Sequence, residues 1–172
     1  MTFSELAQKR YSVRKFSKEP VPQEIIEKIL KTGLVAPTAR NWQPIRILVL
    51  NNDESLKKLQ KCTECHFNAP AAMLVCYNKD ECAYRAYDNF SYGPVDASIV
   101  TTHLMFQATE LGIGTTWVGH FNPDSIRHEF SIPDNIVPLA LLVMGYPAQD
   151  AAPSPRHTEF RPEEEIVVYD SF

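Results

Sequence analysis

Between Pro94 and Gly112 the chain encodes a helix with no side left for water. Val95, Ala97, Ile99, Val100, Leu104, Met105, Phe106, Ala108 and Leu111 spread over nearly its whole circumference. Pro94 suits a first helical turn and Gly112 a C-terminal stop. A helix of this kind must be buried, either by its own chain or between subunits.

The flanking segments supply what could bury it. Thr2 to Gln8 reads as a short helix with Thr2 or Ser4 as N-cap and Phe3, Leu6 and Ala7 on one face. Pro22, Glu24 and the run Ile25, Ile26, Ile29, Leu30 predict a second helix to about Val35, ended by Pro37. Ile45–Leu50 and Ala71–Tyr77 read as apolar strands, with a helix from Glu54 to Lys61 between them. Residues 78–93 are polar and aromatic without a clear period. Thr115–Val118 and Pro138–Met144 predict further strands, separated by a helix from Asn122-Pro123 to about Phe130, and Glu165–Tyr169 reads as a terminal strand. Helices interleaved with four or five short apolar strands indicate an α/β or α+β sheet covered on both faces.

With 172 residues, 44% of them hydrophobic, the chain fits a single domain, residues 1–172. Its net charge of -4 gives no basic field for nucleic acid. The longest apolar run, Ile136 to Met144, is too short to cross a bilayer, and no signal-like segment opens the chain, so a cytoplasmic protein with reduced thiols is expected. Cys62-Thr63-Glu64-Cys65-His66 matches the Cys-x-x-Cys-His pattern of covalent haem attachment. That attachment belongs to exported proteins, and a zinc knuckle would need a second pair that Cys76 and Cys82 do not form, so no metal is expected. A thiol-redox pair and two ordinary thiols at a helix end are the remaining readings.

Arg10-Tyr11-Ser12-Val13-Arg14 sets two guanidinium groups and a hydroxyl within five residues where the first helix ends. Arg meets phosphate or carboxylate oxygens with a planar fork of donors, so the segment suggests an anion site; a solvated helix end is the plainer alternative. A doubly wound nucleotide fold is disfavoured, because Gly112, Gly114 and Gly119 follow a helix and surround a strand, whereas a dinucleotide fingerprint follows a strand and opens a helix.

Four segments together resemble the nitroreductase family of flavin mononucleotide (FMN) enzymes. They are Arg10-Tyr11-Ser12-Val13-Arg14, Ala36-Pro37-Thr38-Ala39-Arg40-Asn41-Trp42-Gln43-Pro44, Leu111-Gly112-Ile113-Gly114-Thr115-Thr116-Trp117-Val118-Gly119 and Arg161-Pro162-Glu163-Glu164-Glu165-Ile166-Val167. Their order and spacing match over essentially the whole chain. The resemblance implies an α+β, three-layer fold with a central mixed sheet flanked by helices. It also implies an intertwined homodimer with exchanged C-terminal strands and FMN at the interface.

Carried over by residue, the resemblance implies that Arg10 and Ser12, with Tyr11 between them, hold the phosphate, and that Arg14 faces the flavin ring. Pro37, Thr38, Ala39, Asn41 and Gln43 would reach the flavin from the other subunit; Trp42 reads as packing. Trp117, Val118, Gly119 and His120 would lie along the ring, with the Gly119 N–H toward N5. Arg156 and Arg161 would complete the phosphate site, although Phe160 stands where a second cation is expected. Ile166 to Tyr169 would pair with the partner's sheet or form an edge strand on its own subunit. Residues 79–93, with Tyr84, Tyr87, Phe90 and Tyr92, would roof the site or leave it open.

The implied activity is a ping-pong oxidoreductase: NADH or NADPH reduces the flavin, then an electron-poor small molecule such as a nitroaromatic, quinone or activated alkene takes the electrons. No catalytic side chain is needed, because the flavin carries the chemistry. A flavin-binding or storage protein without turnover, and a thiol or haem electron carrier using Cys62 and Cys65, are the alternatives.

Overall fold

The computed structural model describes residues 1–172. Local capping sets the helices. α1 (Phe3–Lys9) opens on a capping box in which the Thr2 hydroxyl accepts from Glu5 N and the Glu5 carboxylate accepts from Thr2 N. α2 (Gln23–Leu34) follows Pro22, and α3 (Asp53–Gln60) begins where the Asn52 side chain accepts from Ser55 N. α4 (Gly93–Glu110) carries Pro94 in its first turn and stops ahead of Gly112, whose φ of 78° is the left-handed conformation a helix end favours. α5 (Pro123–Glu129) is capped by Asn122.

Four strands make the main sheet: β1 (Ile45–Leu50), β2 (Ala71–Asn78), β5 (Gly114–Val118) and β6 (Ile136–Gly145), in the order β1-β2-β6-β5. β3 (Tyr84–Arg85) and β4 (Phe90–Ser91) form a separate small hairpin inside the segment that showed no period. β6 begins at Ile136, two residues before the predicted start. Pro138 lies where the register with β2 shifts, a place that tolerates a missing N–H.

Alternation along the central strands divides the core in two. Met73 and Val75 of β2, with Leu142 and Met144 of β6, pack with Ile26 and Ile29 of α2 and Val100 and Leu104 of α4. Leu74 and Cys76, with Leu141 and Val143, face the other way, toward Leu59 of α3 and Ile126 of α5. The result is the expected three-layer α+β fold. α4 buries Ala97, Val100, Leu104 and Ala108 within the chain but leaves Val95 exposed and Ile99, Met105 and Phe106 half-covered, so its own layer accounts for only part of its apolar surface.

Two expectations need correction. All four strands of the main sheet run antiparallel to their neighbours; the parallel component of a mixed sheet is confined to a single bridge between Ser12 and Thr115. Residues Glu165–Tyr169 form no strand on this chain: Glu163–Glu165 is a short 3-10 turn, and Ile166 and Tyr169 are exposed. The outer edge of β5 is occupied by the Ser12–Val13 segment, and β1 forms the opposite edge of the sheet. On its own subunit the segment thus forms no edge strand, although the outer edge of β1 is unpaired.

Candidate functional site

The arginine pentapeptide is stitched into the sheet on both sides. Arg10 caps α1 and leaves it in an extended conformation. Ser12 bridges Thr115, Val13 N donates to Thr115 O at 2.9 Å, and the Thr116 hydroxyl donates back to Val13 O. Two residues on, Ala148 N donates to Lys15 O and Ser17 N to Tyr146 O. Alternation then turns Val13 into the core and Arg14 out to solvent. Ser12 and Arg14 line a cavity of about 460 Å³ with Lys15, Asp150 and Ser154, and Arg14 Nη1 donates to Ser12 O at 3.2 Å. The Lys15 ammonium sits 2.6 Å from the Asp150 carboxylate, and holds that carboxyl below its usual range by hydrogen bond and charge.

The bridge from Ser12 to Thr115 places the arginine segment beside β5, which ends in Trp117 and Val118 and continues into Gly119 and His120. Trp117 is half-buried, Val118 is committed to the α3/α5 core, and Gly119 and His120 are exposed. Gly119 differs from every other glycine of the chain. A Cβ at Gly33, Gly93, Gly114 or Gly145 would meet a neighbour at 2.4 to 2.6 Å, and Gly112 has a positive φ. At Gly119 nothing lies within 4 Å and the backbone imposes no such constraint, so the chain's own packing does not explain the missing side chain.

The C-terminal arginines separate. Arg156 lies on the 3-10 turn Pro155–Thr158, next to Ser154 of the cavity wall; His157 of that turn reaches Gln8 O at 3.2 Å and meets the Tyr11 ring edge-on. The turn thus folds back onto the end of α1 that carries Arg10. Arg161 is exposed and faces Glu165 at 3.5 Å, while Phe160 is also exposed.

The second predicted segment sits elsewhere. Residues 37–43 lead into β1, at the edge of the sheet opposite β5. Three strand spacings, roughly 14 Å, separate the two edges. Thr38 and Gln43 line a different cavity, of about 430 Å³, with Leu30, Ala36, Ile45, Ile47 and Val100. The loop is internally bonded: the Thr38 hydroxyl accepts from Gln43 N at 3.1 Å, Gln43 Nε2 donates to Asn41 Oδ1 at 2.9 Å, and Asn41 N donates to Thr38 O. Arg40, Asn41 and Gln43 all have φ between 53° and 56°, a left-handed conformation that costs a non-glycine residue on the order of 1–3 kcal/mol each. Trp42 is half-exposed beneath the Arg40 guanidinium, 5.4 Å from its ring centre, so it is not the packing residue expected.

The Cys-x-x-Cys-His stretch serves this site indirectly. Cys62 is buried, its Sγ donates to Lys58 O, and burial pushes its thiol pKa up. Burial likewise pushes Cys76 up to about 12. A thiol held protonated is a poor nucleophile. Between Cys62 and Cys65, the Thr63 hydroxyl donates to His120 O at 2.6 Å.

The Nitroreductase family sequence profile matches residues 7–81 and 65–146. The chain belongs to the nitroreductase family. A crystal structure of a nitroreductase family protein from Clostridium difficile 630 is 44% identical, superposes with a TM-score of 0.95, and matches over 100% of both chains. A relative from Methanothermobacter thermautotrophicus described as a putative NADH dehydrogenase/NAD(P)H nitroreductase is 31% identical, over 87% of this chain and 80% of its own length. The FMN reductase [NAD(P)H] of Bacillus subtilis is 28% identical, over 84% of this chain and 66% of its own length.

Within this nitroreductase fold, sequence reasoning missed Lys15, Thr63, Asp96 and Ser154. Lys15 directly follows the flagged pentapeptide and was within reach of the charge argument. Thr63 and Asp96 act on backbone groups 57 residues away in each case, which no local pattern reveals.

Proposed function

We propose that this nitroreductase family member is an NAD(P)H-dependent FMN oxidoreductase that reduces electron-poor small molecules by a ping-pong cycle. The observation that carries the reading is Gly119, the one glycine unexplained by packing or backbone conformation, at the end of the strand that the Ser12 bridge joins to the arginine segment. The residues present fit FMN: a flat ring needs open space against the backbone there, with a cation such as Arg14 beside it, and a phosphate needs donors such as Arg10 and Ser12. Bound FMN supplies the redox chemistry, accepting a hydride from the nicotinamide and delivering two electrons to the acceptor.

The chain's own residues bind and tune. The Arg10 guanidinium and Ser12 hydroxyl offer charge-assisted and neutral hydrogen bonds to a phosphate, with Arg156 delivered nearby by the turn that rests on Gln8. Arg14 is held by Ser12 O and supplies positive charge, which favours a reduced, anionic flavin. The Gly119 N–H offers a donor with no side chain in the way.

A homodimer is part of the same reading. Thr38, Asn41 and Gln43 sit across the sheet from Gly119, so one chain presents two half-sites, and a second copy brings the complementary halves together. Leu34, Val35 and Val95 are exposed around the 37–43 loop, and Phe160, Ile166, Val168 and Tyr169 are exposed at the C-terminus. The terminal segment, unpaired on its own chain, is suited to the free edge of β1 in the partner.

Purified protein titrated with FMN, then given NADH or NADPH anaerobically, tests this reading. Flavin absorbance that appears on binding and bleaches with a nicotinamide supports it, and a panel of nitroaromatics, quinones and activated alkenes identifies the acceptor class. Bound FMN that stays oxidised would instead support a flavin-holding protein, and no binding would end both readings.

A further inference from the structure

Asp96 lies in the first turn of α4 and is 2% exposed, the only acidic residue among the buried side chains. Its Oδ1 accepts from Ala39 N at 2.9 Å, across 57 residues of sequence, and its Oδ2 is buried without a partner. A carboxylate in such a place costs desolvation, and burial raises its pKa, the Ala39 N–H opposing that shift.

The loop it touches needs an external anchor. Ala39 opens the 3-10 turn Ala39–Asn41, whose first N–H groups have no partner within the turn. Thr38 is the natural cap, but its hydroxyl is committed to Gln43 N and makes no capping bond. Asp96 supplies the acceptor from the core. Beyond that anchor the loop passes through three left-handed non-glycine residues, Arg40, Asn41 and Gln43, a conformation that persists only where the surroundings over-determine it.

We propose that Asp96 is the positioning residue for loop 38–43: through the Ala39 N–H it fixes the strained turn so that Thr38, Asn41 and Gln43 are presented ready-formed to the flavin. The presentation rests on the FMN reading above; the anchoring stands without it. Removing the carboxylate frees the turn, and an ordering cost then falls on the ligand. Asn at 96 keeps an acceptor for Ala39 N and preserves the anchor.

Amide hydrogen exchange on the flavin-free protein and FMN titration, run side by side on wild type, D96A and D96N, test this. D96A is expected to speed exchange at Asn41, Trp42 and Gln43 at least tenfold and to weaken FMN at least threefold, with D96N returning both to within twofold of wild type. A39P is the second variant, should D96A fail to fold: Pro is accommodated at a turn start after an extended residue such as Thr38, and it deletes the donor while leaving the carboxylate. It should reproduce the D96A exchange at those three positions and the loss of FMN affinity. Wild-type protection of the loop in D96A or A39P overturns the anchor. Loosened loop amides with unchanged FMN affinity overturn the presentation. Wild-type protein that binds no FMN at all counts against the functional reading, and hence against the presentation, and leaves the exchange result to decide the anchor.

Discussion

The Thr63 hydroxyl donates to the backbone carbonyl of His120 at 2.6 Å, while accepting from Cys65 N at 3.0 Å. One residue away, Asn122 N donates to Cys62 O at 2.8 Å. A stretch that spells haem attachment in sequence is, in the fold, a brace for the 119–122 loop that follows β5. Thr63→Val leaves the His120 carbonyl without its partner, at a cost of about 1 kcal/mol or roughly a fivefold change. FMN affinity measured by flavin fluorescence should fall by about that factor in T63V and recover in T63S.

The thiols give a chemical check on the electron-carrier alternative. Burial raises the pKa of Cys62 and Cys82 and takes Cys76 to about 12, so these groups stay protonated well above neutral pH. Cys65 is the one half-exposed thiol. Alkylation of the native protein at pH 8, followed by mass mapping, should label Cys65 first. Cys62→Ser is expected to leave flavin reduction by the nicotinamide intact.

At the other end of the site, Arg10→Ala removes the guanidinium that reads as a phosphate ligand. Loss of a charged hydrogen bond predicts FMN affinity weakened by roughly 1.5–3 kcal/mol. Riboflavin, which lacks the phosphate, should bind the variant and the wild type alike. A parallel loss for riboflavin would place Arg10 away from the phosphate.

Asp96 makes the stability of this fold pH-dependent. Its folded-state pKa is raised, chiefly by burial, above the unfolded value near ~3.9. The folded state therefore binds the proton more tightly, and this group's contribution to stability is complete at acid pH and is lost as pH rises through the folded pKa. Asp96→Asn keeps the acceptor for Ala39 N and removes the ionisation. Denaturant unfolding should show D96N gaining on wild type as pH rises from about 4 to 7.

Much of the fold was legible because its elements carry strong local signals. The apolar runs Ile45–Leu50 and Ala71–Tyr77 became β1 and β2, the second one residue longer, and Thr2, Asn122 and Gly112 mark helix ends by side-chain or backbone chemistry. Glu165–Tyr169 failed as a strand because the β-branched run Ile166, Val167 and Val168 describes strand propensity, whereas a strand also needs a partner edge within reach: Ser12–Val13 already holds the one at β5, and the segment does not pair with β1 of its own chain. The site divided the same way. Arg10, Ser12 and Arg14 suggest an anion by residue type, with a solvated helix end as the alternative. The partnerships of Thr63 with His120 and of Asp96 with Ala39 join positions 57 residues apart, so only the folded chain shows them.

In the proposed reading, the open space beside Gly119 belongs to a flavin. Because a Cβ there meets nothing within 4 Å, Gly119→Val should keep the unfolding free energy of the flavin-free protein within about 0.5 kcal/mol of wild type. FMN titration of G119V beside wild type is the most direct measurement. At least a tenfold loss of affinity with the fold intact is expected; FMN bound as tightly by G119V as by the wild type would place the flavin elsewhere.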